Sequence, residues 1–321
     1  MTSFGYTLMT EQSGPRELVG NAAAGERAGF DFEVISDHYF PWLDAMGHAP
    51  YAWSVLGAVT QVTERVELMT YVTCPIMRYH PAVVAQKAAT VDLLSNGRFI
   101  LGLGAGENLN EHVVGQGWPG VNVRHEMLTE ALTIIRSLLA GGYVDFVGDH
   151  YRVDSAKLWD LPTSPIPIGV AVSGEQSVQA FASMAEHLIA VEPDAELVRS
   201  WEGVHEGRRP RSIGQLPVCW GRDRDACLDR AHELFRWFGG GWKVNAELPG
   251  TAGFAGASQF VTKDDVAGSI PCGPDIDAIV QAVGEFEDAG FSDVALVQIG
   301  DESQCDFLAM AENELLPALR G

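Results

Sequence analysis

The order of apolar segments predicts an α/β protein, a (β/α)8 TIM barrel with inserted segments, built as one domain over residues 1–321. Four short β-prone runs alternate with segments of helical spacing between residues 4 and 140, which is typical of a parallel sheet covered by helices. Polar side chains follow several of these runs directly, where barrel enzymes place their active sites. Right-handed crossovers then favour closure of the sheet into a barrel.

The first half of the chain repeats a strand and a helix four times. Its predicted strands are 4–9, a buried run that begins at Asp31, 66–72 and 98–103. Its predicted helices are 15–29, 50–63, 81–94 and 123–140. Pro81 fits a first helical turn, because its missing N–H would have no helical partner there.

The second half is less regular. Strands are predicted at 166–172, 188–191, 215–220 and 294–299, with helices from 176, at 275–289 and at 305–319. Residues 142–160 alternate like a hairpin with a turn near Gly148, and we interpret them as an insertion. Residues 239–273 are rich in glycine and carry Trp242, Phe254 and Phe260, so we predict a second, loop-like insertion that acts as a lid.

Composition and charge narrow the kinds of partner. The formal charge of −22 would repel nucleic acid and anionic membranes, so a small-molecule partner is predicted. No apolar run approaches the length of a membrane span and the first residues carry no targeting pattern, so we expect a soluble, cytoplasmic protein. The five cysteines are far apart in sequence and the histidines lack metal-ligand spacing, so neither a disulfide nor a metal site is predicted.

A polar cluster follows the second predicted strand. Ser36, Asp37 and His38 come directly after the apolar run, and Pro41 then ends regular structure. His38 suits proton transfer near neutral pH, and Trp42 could form a wall of a site beside it. The alternative is that Asp37 and His38 only satisfy local hydrogen bonds.

A glycine-rich segment follows the fourth predicted strand. Residues 102–107 read GLGAGE, and their small side chains would let a flat ligand or a phosphate lie against the backbone beside Glu107. A tight strand-to-loop turn explains the glycines equally well. If the barrel closes, its strand ends bring seven side chains to one rim: Glu11, Asp37, His38, Trp42, Glu107, Asn110 and Ser173.

Five segments in order resemble coenzyme F420-dependent glucose-6-phosphate dehydrogenase and its relatives, within the luciferase-like superfamily of barrels. The segments are TEQSGPRELV (10–19), SDHYFPW (36–42), GHAPYAW (47–53), RYHPAVVAQ (78–86) and GLGAGENLNE (102–111). The resemblance covers nearly the whole chain and is strongest through residue 160. It implies an oxidoreductase that holds the deazaflavin coenzyme F420 in the barrel mouth, where the coenzyme accepts hydride from an alcohol or hemiacetal carbon.

The resemblance also assigns roles to individual residues. It makes His38 the base that takes the substrate hydroxyl proton, Trp42 the group that steadies the developing charge, and Glu107 the acid that protonates the coenzyme ring nitrogen. Glu11 matches a substrate-side carboxylate, and Tyr71 to Val72 matches a non-prolyl cis peptide. The implied coenzyme contacts are Asp37, Tyr71, Val72, Cys74, Ala105, Gly106, Asn110, Ser173, Gly174, Gln176 and Ser177, with Cys74 and Ala105 standing where threonine is usual.

The sequence departs from the phosphosugar enzymes at the substrate. Val191 and Asp194 stand where a threonine and a lysine are expected, and AGSI at 267–270 replaces a basic pair. A phosphate would meet acid there, so glucose 6-phosphate is predicted to be a poor substrate and neutral sugars, hydroxylated lipids or secondary alcohols better ones. A local basic groove for the coenzyme has four candidates, which are Arg65, Arg78, Lys87 and Arg98, and the alternative is that all four are solvated surface charges.

Two other functions compete with this one. An FMN-dependent monooxygenase of the same superfamily needs no base on a substrate hydroxyl, so the joint presence of His38, Trp42 and Glu107 favours the dehydrogenase or the same hydride transfer in reverse. A barrel that binds coenzyme without turnover would be expected to lose the base or the acid. A homodimer is expected by analogy with the superfamily alone.

Overall fold

The computed structural model describes residues 2–205 and 210–321. Its strands are β1 (Ser3–Leu8), β2 (Phe32–Ile35), β3 (Glu67–Thr70), β4 (Phe99–Leu103), β5 (Val144–Val147), β6 (Arg152–Ala156), β7 (Ile168–Ala171), β8 (His187–Ala190), β9 (Ser212–Trp220), β10 (Cys272–Gly273) and β11 (Asp293–Gln298).

Helices connect and cover these strands. They are α1 (Pro15–Ala28), α2 (Ala52–Val59), α3 (Pro81–Leu94), α4 (Asn108–Glu111), α5 (Val121–Leu139), α6 (Glu175–Phe181), α7 (Ala195–Val204), α8 (Arg224–Phe235), α9 (Trp242–Asn245), α10 (Thr251–Ala257), α11 (Lys263–Ala267), α12 (Ile276–Asp288), α13 (Gln304–Met310) and α14 (Leu316–Arg320). Among the helices of the described residues, none combines the length and apolarity that a membrane crossing requires.

The parallel strands close into a barrel, which confirms the predicted fold class. The pairing runs β1, β2, β3, β4, β7, β8, β9, β11 and back to β1, and β10 adds to β9 outside the ring. β5 and β6 pair antiparallel as the predicted hairpin between α5 and β7. The carboxyl ends of all the ring strands therefore meet at one rim of the barrel.

Alternation along each strand sorts apolar side chains between two layers. On β2, Phe32 and Val34 join the cluster inside the barrel, while Ile35 packs outward in the larger cluster under the helices. Glu33 also faces outward, and its buried carboxylate oxygens have no hydrogen-bond partner among the described residues. Burial raises the pKa of Glu33 well above its ordinary value, because the charged form is poorly solvated there.

Gly102 sets the spacing between β3 and β4. A Cβ at this position would lie 1.9 Å from the carbonyl oxygen of Thr70, so only glycine permits the approach. The Thr70 hydroxyl donates to the Gly102 carbonyl oxygen at 2.8 Å and accepts from the Gly102 N–H at 3.0 Å. This contact fixes where the glycine-rich segment leaves the barrel, and hence where Glu107 stands.

The structure corrects the prediction that residues 239–273 are loop-like. This stretch contains α9, α10 and α11, of 4, 7 and 5 residues, and the short strand β10. Helices this short do not display a full helical repeat, so periodicity could not reveal them. A signal did exist, because Thr262 and Asp265 form a capping box at the start of α11.

Helices α7 and α8 were also not predicted. Each begins after an aspartate whose side chain accepts hydrogen bonds from the first backbone N–H groups, Asp194 for α7 and Asp223 for α8. An aspartate before a helical repeat is a recognisable start signal. Asp194, which was assigned to the substrate side, therefore caps a helix.

Candidate active site

Three side chains from three strand ends converge at the rim of the barrel. His38 follows β2, Glu11 follows β1, and Glu107 follows β4. The Nδ1 atom of His38 lies 3.1 Å from Glu11 Oε1, and its Nε2 atom lies 3.4 Å from Glu107 Oε2. The structure thus places the imidazole between two carboxyl groups, as the predicted rim requires.

The partners of His38 define its tautomer. Nδ1 has two acceptors nearby, the Glu11 carboxylate and the Phe40 carbonyl oxygen at 3.2 Å, so this nitrogen carries the proton. The hydroxyls of Ser36 and Thr10 donate to the other Glu11 oxygen and hold the carboxylate in place. Nε2, which lies 3.4 Å from Glu107 Oε2, is then the unprotonated nitrogen and the one that can act as a general base.

Glu107 has the properties of a proton donor. Burial raises the pKa of its carboxyl group above the ordinary value, although His38 and a hydrogen bond from Asn110 oppose the shift, and Glu11 adds to it. The Asn110 amide donates to Glu107 Oε2 at 2.7 Å, and its carbonyl oxygen accepts from the Tyr39 N–H at 2.8 Å. Asn110 consequently ties the acid to the loop that carries the base.

Trp42 forms an aromatic wall beside His38. The two rings are 4.8 Å apart between centroids, and Trp42 stacks on Trp237 at 4.0 Å with an interplanar angle of 11°. Phe254 meets the Trp42 ring edge-on at 5.1 Å. The sequence had singled out Phe254 but missed Trp237, which lies just before the predicted insertion and has no local pattern that marks it.

Asp37 is held differently from its neighbour His38. Its Oδ2 accepts from Trp53 Nε1 at 3.0 Å and from the Thr73 hydroxyl at 2.7 Å. Its Oδ1 accepts from the Tyr79 hydroxyl at 3.0 Å and from Arg78 at 3.3 Å. Both carboxylate oxygens are thus occupied by protein donors, and Asp37 anchors the end of β2 beside the helices. Its role as a coenzyme contact stays a prediction.

Half-buried apolar side chains form a floor at the barrel mouth. Val72, Ala171 and Val191 pack on the interior cluster from the ends of β3, β7 and β8. The Tyr71–Val72 peptide bond is cis, as the resemblance implied, and the Tyr71 hydroxyl donates to the Ala190 carbonyl oxygen at 3.0 Å inside the barrel. A flat, largely apolar group could lie on this floor.

The remaining predicted contact residues follow three strands, β3, β4 and β7. Gly106 has a φ of 77°, and a Cβ there would lie 2.4 Å from the sulfur of Cys74, so the turn after Ala105 needs glycine. Ser173 and Gly174 follow β7, where the Ser177 hydroxyl donates to the Gly174 carbonyl oxygen at 2.7 Å. Gln176 donates to the side chain of Asn122 at 2.8 Å.

The four candidates for a basic groove all have contacts within the chain, and a role for them toward the coenzyme stays a prediction. Arg78 pairs with Asp37 and Glu111, Arg98 donates to the backbone around Thr63 and Val66, and Arg65 donates to the carbonyl oxygen of Glu26. Lys87 lies 3.3 Å above the Tyr79 ring, with no acceptor for its ammonium group among the described residues. The three arginines are therefore engaged within the chain's own fold.

Comparison with known proteins gives one family and several relatives. A family model described as luciferase-like monooxygenase matches residues 1–293. The chain is 34% identical to the F420-dependent glucose-6-phosphate dehydrogenase of Intrasporangium calvum, over 100% of both chains. It is also 34% identical to the F420-dependent hydroxymycolic acid dehydrogenase of Mycobacterium tuberculosis, over 98% of this chain and 88% of that protein.

A solved structure adds a relative with a bound adduct. An F420-dependent secondary alcohol dehydrogenase in complex with an F420-acetone adduct matches with a TM-score of 0.89 and 27% identity, over 100% of this chain and 99% of that one.

Proposed function

This chain belongs to the luciferase-like monooxygenase family, and from that membership we propose that it is an F420-dependent oxidoreductase. It transfers a hydride between a hydroxyl-bearing carbon and C5 of the deazaflavin, and it acts on neutral alcohols or sugars in preference to phosphosugars. The observation that carries the proposal is the position of His38 between Glu11 and Glu107, which supplies a base and an acid at one rim.

The residues at the barrel mouth fit a deazaflavin. Its flat ring matches the apolar floor of Val72, Ala171 and Val191, and the raised pKa of the Glu107 carboxyl group suits a group that gives a proton to a ring nitrogen. When bound, the coenzyme supplies the carbon that accepts hydride. The residues proposed to hold it are Asp37, Tyr71, Val72, Cys74, Ala105, Gly106, Asn110, Ser173, Gly174, Gln176 and Ser177.

The proton roles follow from the geometry of the three rim residues. A hydroxyl-bearing carbon releases hydride only as its oxygen loses a proton, so a base must lie within hydrogen-bond reach of that oxygen. His38 Nε2 is the nitrogen that can take this proton, and Glu11 holds the ring through the other nitrogen, Nδ1. Glu107, whose pKa is raised by burial, is the group that would give a proton to the ring nitrogen, and Trp42 forms the wall beside His38.

The surroundings of the site support a neutral substrate. Within the described residues, no lysine or arginine hydrogen-bonds to His38, Glu11 or Glu107. Trp42, Trp237 and Phe254 instead make an aromatic wall. Asp194, where a lysine was expected, is occupied in capping α7, and Val191 forms part of the floor. A phosphate dianion would be repelled by carboxylates without a cation to neutralise it.

Two measurements test the proposal. The first titrates the protein with F420 and, separately, with FMN, and follows the fluorescence of each. The second measures turnover of the bound coenzyme with secondary alcohols, neutral sugars and glucose 6-phosphate. We expect F420 binding, turnover with neutral substrates, and loss of turnover but not of binding in His38→Ala. His150→Ala, which alters a histidine outside the site, should behave like the wild type.

Three outcomes would contradict this proposal. Binding of FMN without F420 would support the monooxygenase instead, and binding of F420 without turnover of any hydroxyl donor would support a carrier barrel. A rate with glucose 6-phosphate equal to that of neutral alcohols would refute the substrate class. We also propose a homodimer, which light scattering of the purified protein measures directly.

A further inference from the structure

Three cysteines that are far apart in sequence meet at the outer side of the barrel. Cys219 lies near the end of β9, Cys272 is its direct partner on β10, and Cys227 lies in the first turn of α8. All three are free thiols in the described structure, and Cys219 and Cys227 are buried while Cys272 is half-buried. The sequence had indicated no thiol site, because 53 residues separate the paired positions and only the added strand β10 brings them together.

The positively charged side chain of Arg230 lies beside two of these sulfur atoms. Its Nε donates to the sulfur of Cys219 at 3.3 Å, and its Nη2 lies 3.8 Å from the sulfur of Cys227. A guanidinium beside a thiol favours the thiolate form, the nucleophilic form of cysteine. Cys219 and Cys272 are register partners on neighbouring strands, so their side chains lie next to each other.

The two paired thiols are not equivalent. A hydrogen bond from the Cys219 thiol lowers the pKa of Cys272, and nearby Arg224 and Arg230 act in the same direction. That same hydrogen bond, together with burial, raises the pKa of Cys219. The half-buried thiol is thus the better nucleophile, and the buried one keeps its proton. Redox-sensitive sites in proteins combine these features, an accessible thiolate beside a second thiol.

We propose that Cys272 is a peroxide-reactive thiol and that Cys219 resolves its oxidised form. The Cys272 thiolate attacks one oxygen of a hydroperoxide, the O–O bond breaks, and Cys272 becomes a sulfenic acid while the departing oxygen leaves as water or an alcohol. The Cys219 thiol then attacks the sulfenic sulfur, a disulfide forms, and the hydroxyl leaves as water with the Cys219 proton. Two thiols are oxidised and one peroxide is reduced.

The backbone geometry permits this disulfide. Cys219 and Cys272 are register partners in a parallel pair, so their side chains lie on the same face of the sheet. Neighbouring strands are about 4.8 Å apart, and disulfides need Cα atoms roughly 4.4–6.8 Å apart. No strand has to move to bring the two residues within that range.

The site is adjacent to the aromatic wall of the active site. Ile270, two residues before Cys272, is buried in the same apolar cluster as Trp42, Trp237 and Phe254, and Cys219 and Cys227 belong to that cluster as well. Oxidation would join β10 to β9 covalently at the edge of this cluster. The chemistry of the thiols does not depend on which coenzyme the barrel binds, so it can be tested without the coenzyme.

The test treats the full-length protein with a small excess of hydrogen peroxide, blocks the remaining thiols with an alkylating reagent, and maps the peptides by mass spectrometry. We expect a Cys219–Cys272 disulfide, and loss of the Cys272 thiol before that of exposed Cys305, because Cys272 has a second thiol beside it that captures its oxidised form. Cys219→Ser should leave Cys272 as a sulfenic acid that dimedone traps. Cys227→Ser is the matched control and should still form the disulfide.

The wild-type peptide map decides the matter even if a variant fails to fold. Faster oxidation of Cys305 than of Cys272 would overturn the proposal, as would a disulfide that uses Cys227 in place of Cys219. Free Cys219 and Cys272 thiols after treatment, in a protein that oxidises readily once denatured, would also overturn it.

Discussion

Two regions around the barrel mouth hold their side chains by different forces. The rim that carries the proposed base and acid is formed by the segments after β1, β2 and β4, and buried hydrogen bonds fix its side chains. Asp37 accepts from four side chains. Glu11 and Asn110 each connect two loops. The predicted lid, residues 239–273, packs against Trp42 through Phe254, and Trp237 just before it stacks on the same ring. Its polar attachment to the barrel centres on Glu247.

This difference in packing suggests that the rim sets the reaction rate and that the predicted lid sets which substrates are accepted. Buried hydrogen bonds have narrow geometric requirements, so the rim holds the base and acid within hydrogen-bond distance of each other. Apolar packing tolerates exchange of residues of similar volume, so the lid can change shape without disturbing the rim. We therefore expect substitutions in the rim to affect the rate with every substrate, and substitutions in the lid to alter which substrates are accepted.

The largest effect is expected at the rim acid. Glu107→Gln keeps the size of the side chain but cannot give a proton, so the rate of coenzyme reduction should fall by about 10²- to 10⁴-fold. In the wild type the acid must be protonated, and its raised pKa keeps it so to a higher pH than an ordinary glutamate. The rate should therefore fall as pH rises through that pKa, and Glu107→Gln should lose this limb of the pH profile. If Glu107→Gln shows the same decrease in rate with rising pH as the wild type, that decrease belongs to another group.

The next effect concerns stability of the rim. Asp37→Ala removes a buried carboxylate whose side chain is 0% exposed, so the Tyr79 hydroxyl loses its acceptor and Arg78 keeps Glu111 as its carboxylate partner. Loss of one member of a buried charge pair costs about 3–5 kcal/mol. Urea denaturation should show this decrease in the free energy of unfolding. A decrease below about 1 kcal/mol, the size expected for a surface ion pair, would show that the rim is not held by this network.

A smaller effect is expected beneath the rim at Lys87. Burial lowers the pKa of Lys87 to about 8, although Asp37 opposes the shift. Between this value and that of an unfolded lysine, the unfolded chain binds more protons, so stability should increase as pH rises from 8 towards 10. Lys87→Met keeps the apolar stem and removes the ammonium group, so its stability should lack this increase. Parallel denaturation curves at several pH values compare the two proteins.

The smallest effect is expected where the lid is attached. Glu247 accepts from Trp118 Nε1 and Arg124 Nη2, both at 2.9 Å, and its side chain is 52% exposed. An exposed ion pair contributes about 0.2–1 kcal/mol, so Glu247→Gln should barely change the unfolding free energy. It should raise KM more than it lowers kcat, because it loosens the lid and leaves the acid and base in place. A fall in kcat with KM unchanged would place Glu247 in the rim.

The sequence made the first half of the barrel easy to predict and the second half hard. Helix α3 spans the predicted range without change, since Pro81 and a long apolar repeat mark it. Strand β9 begins at Ser212, three residues before its predicted start, and α7 and α8 were missed although Asp194 and Asp223 cap them. The lid helices are too short for periodicity to register, so local pattern could not define them.

By itself the sequence determined which groups are available and at which strand ends they stand. His38, Glu11, Trp42 and Glu107 follow apolar runs, and a parallel barrel brings all such positions to one rim. Only the tertiary structure decided their partners: that His38 lies between two carboxyl groups, that Asp37 is enclosed by protein donors, that Trp237 stacks on Trp42, and that Cys219 meets Cys272. Distances between segments far apart in the chain depend on packing and register, and no local pattern encodes them.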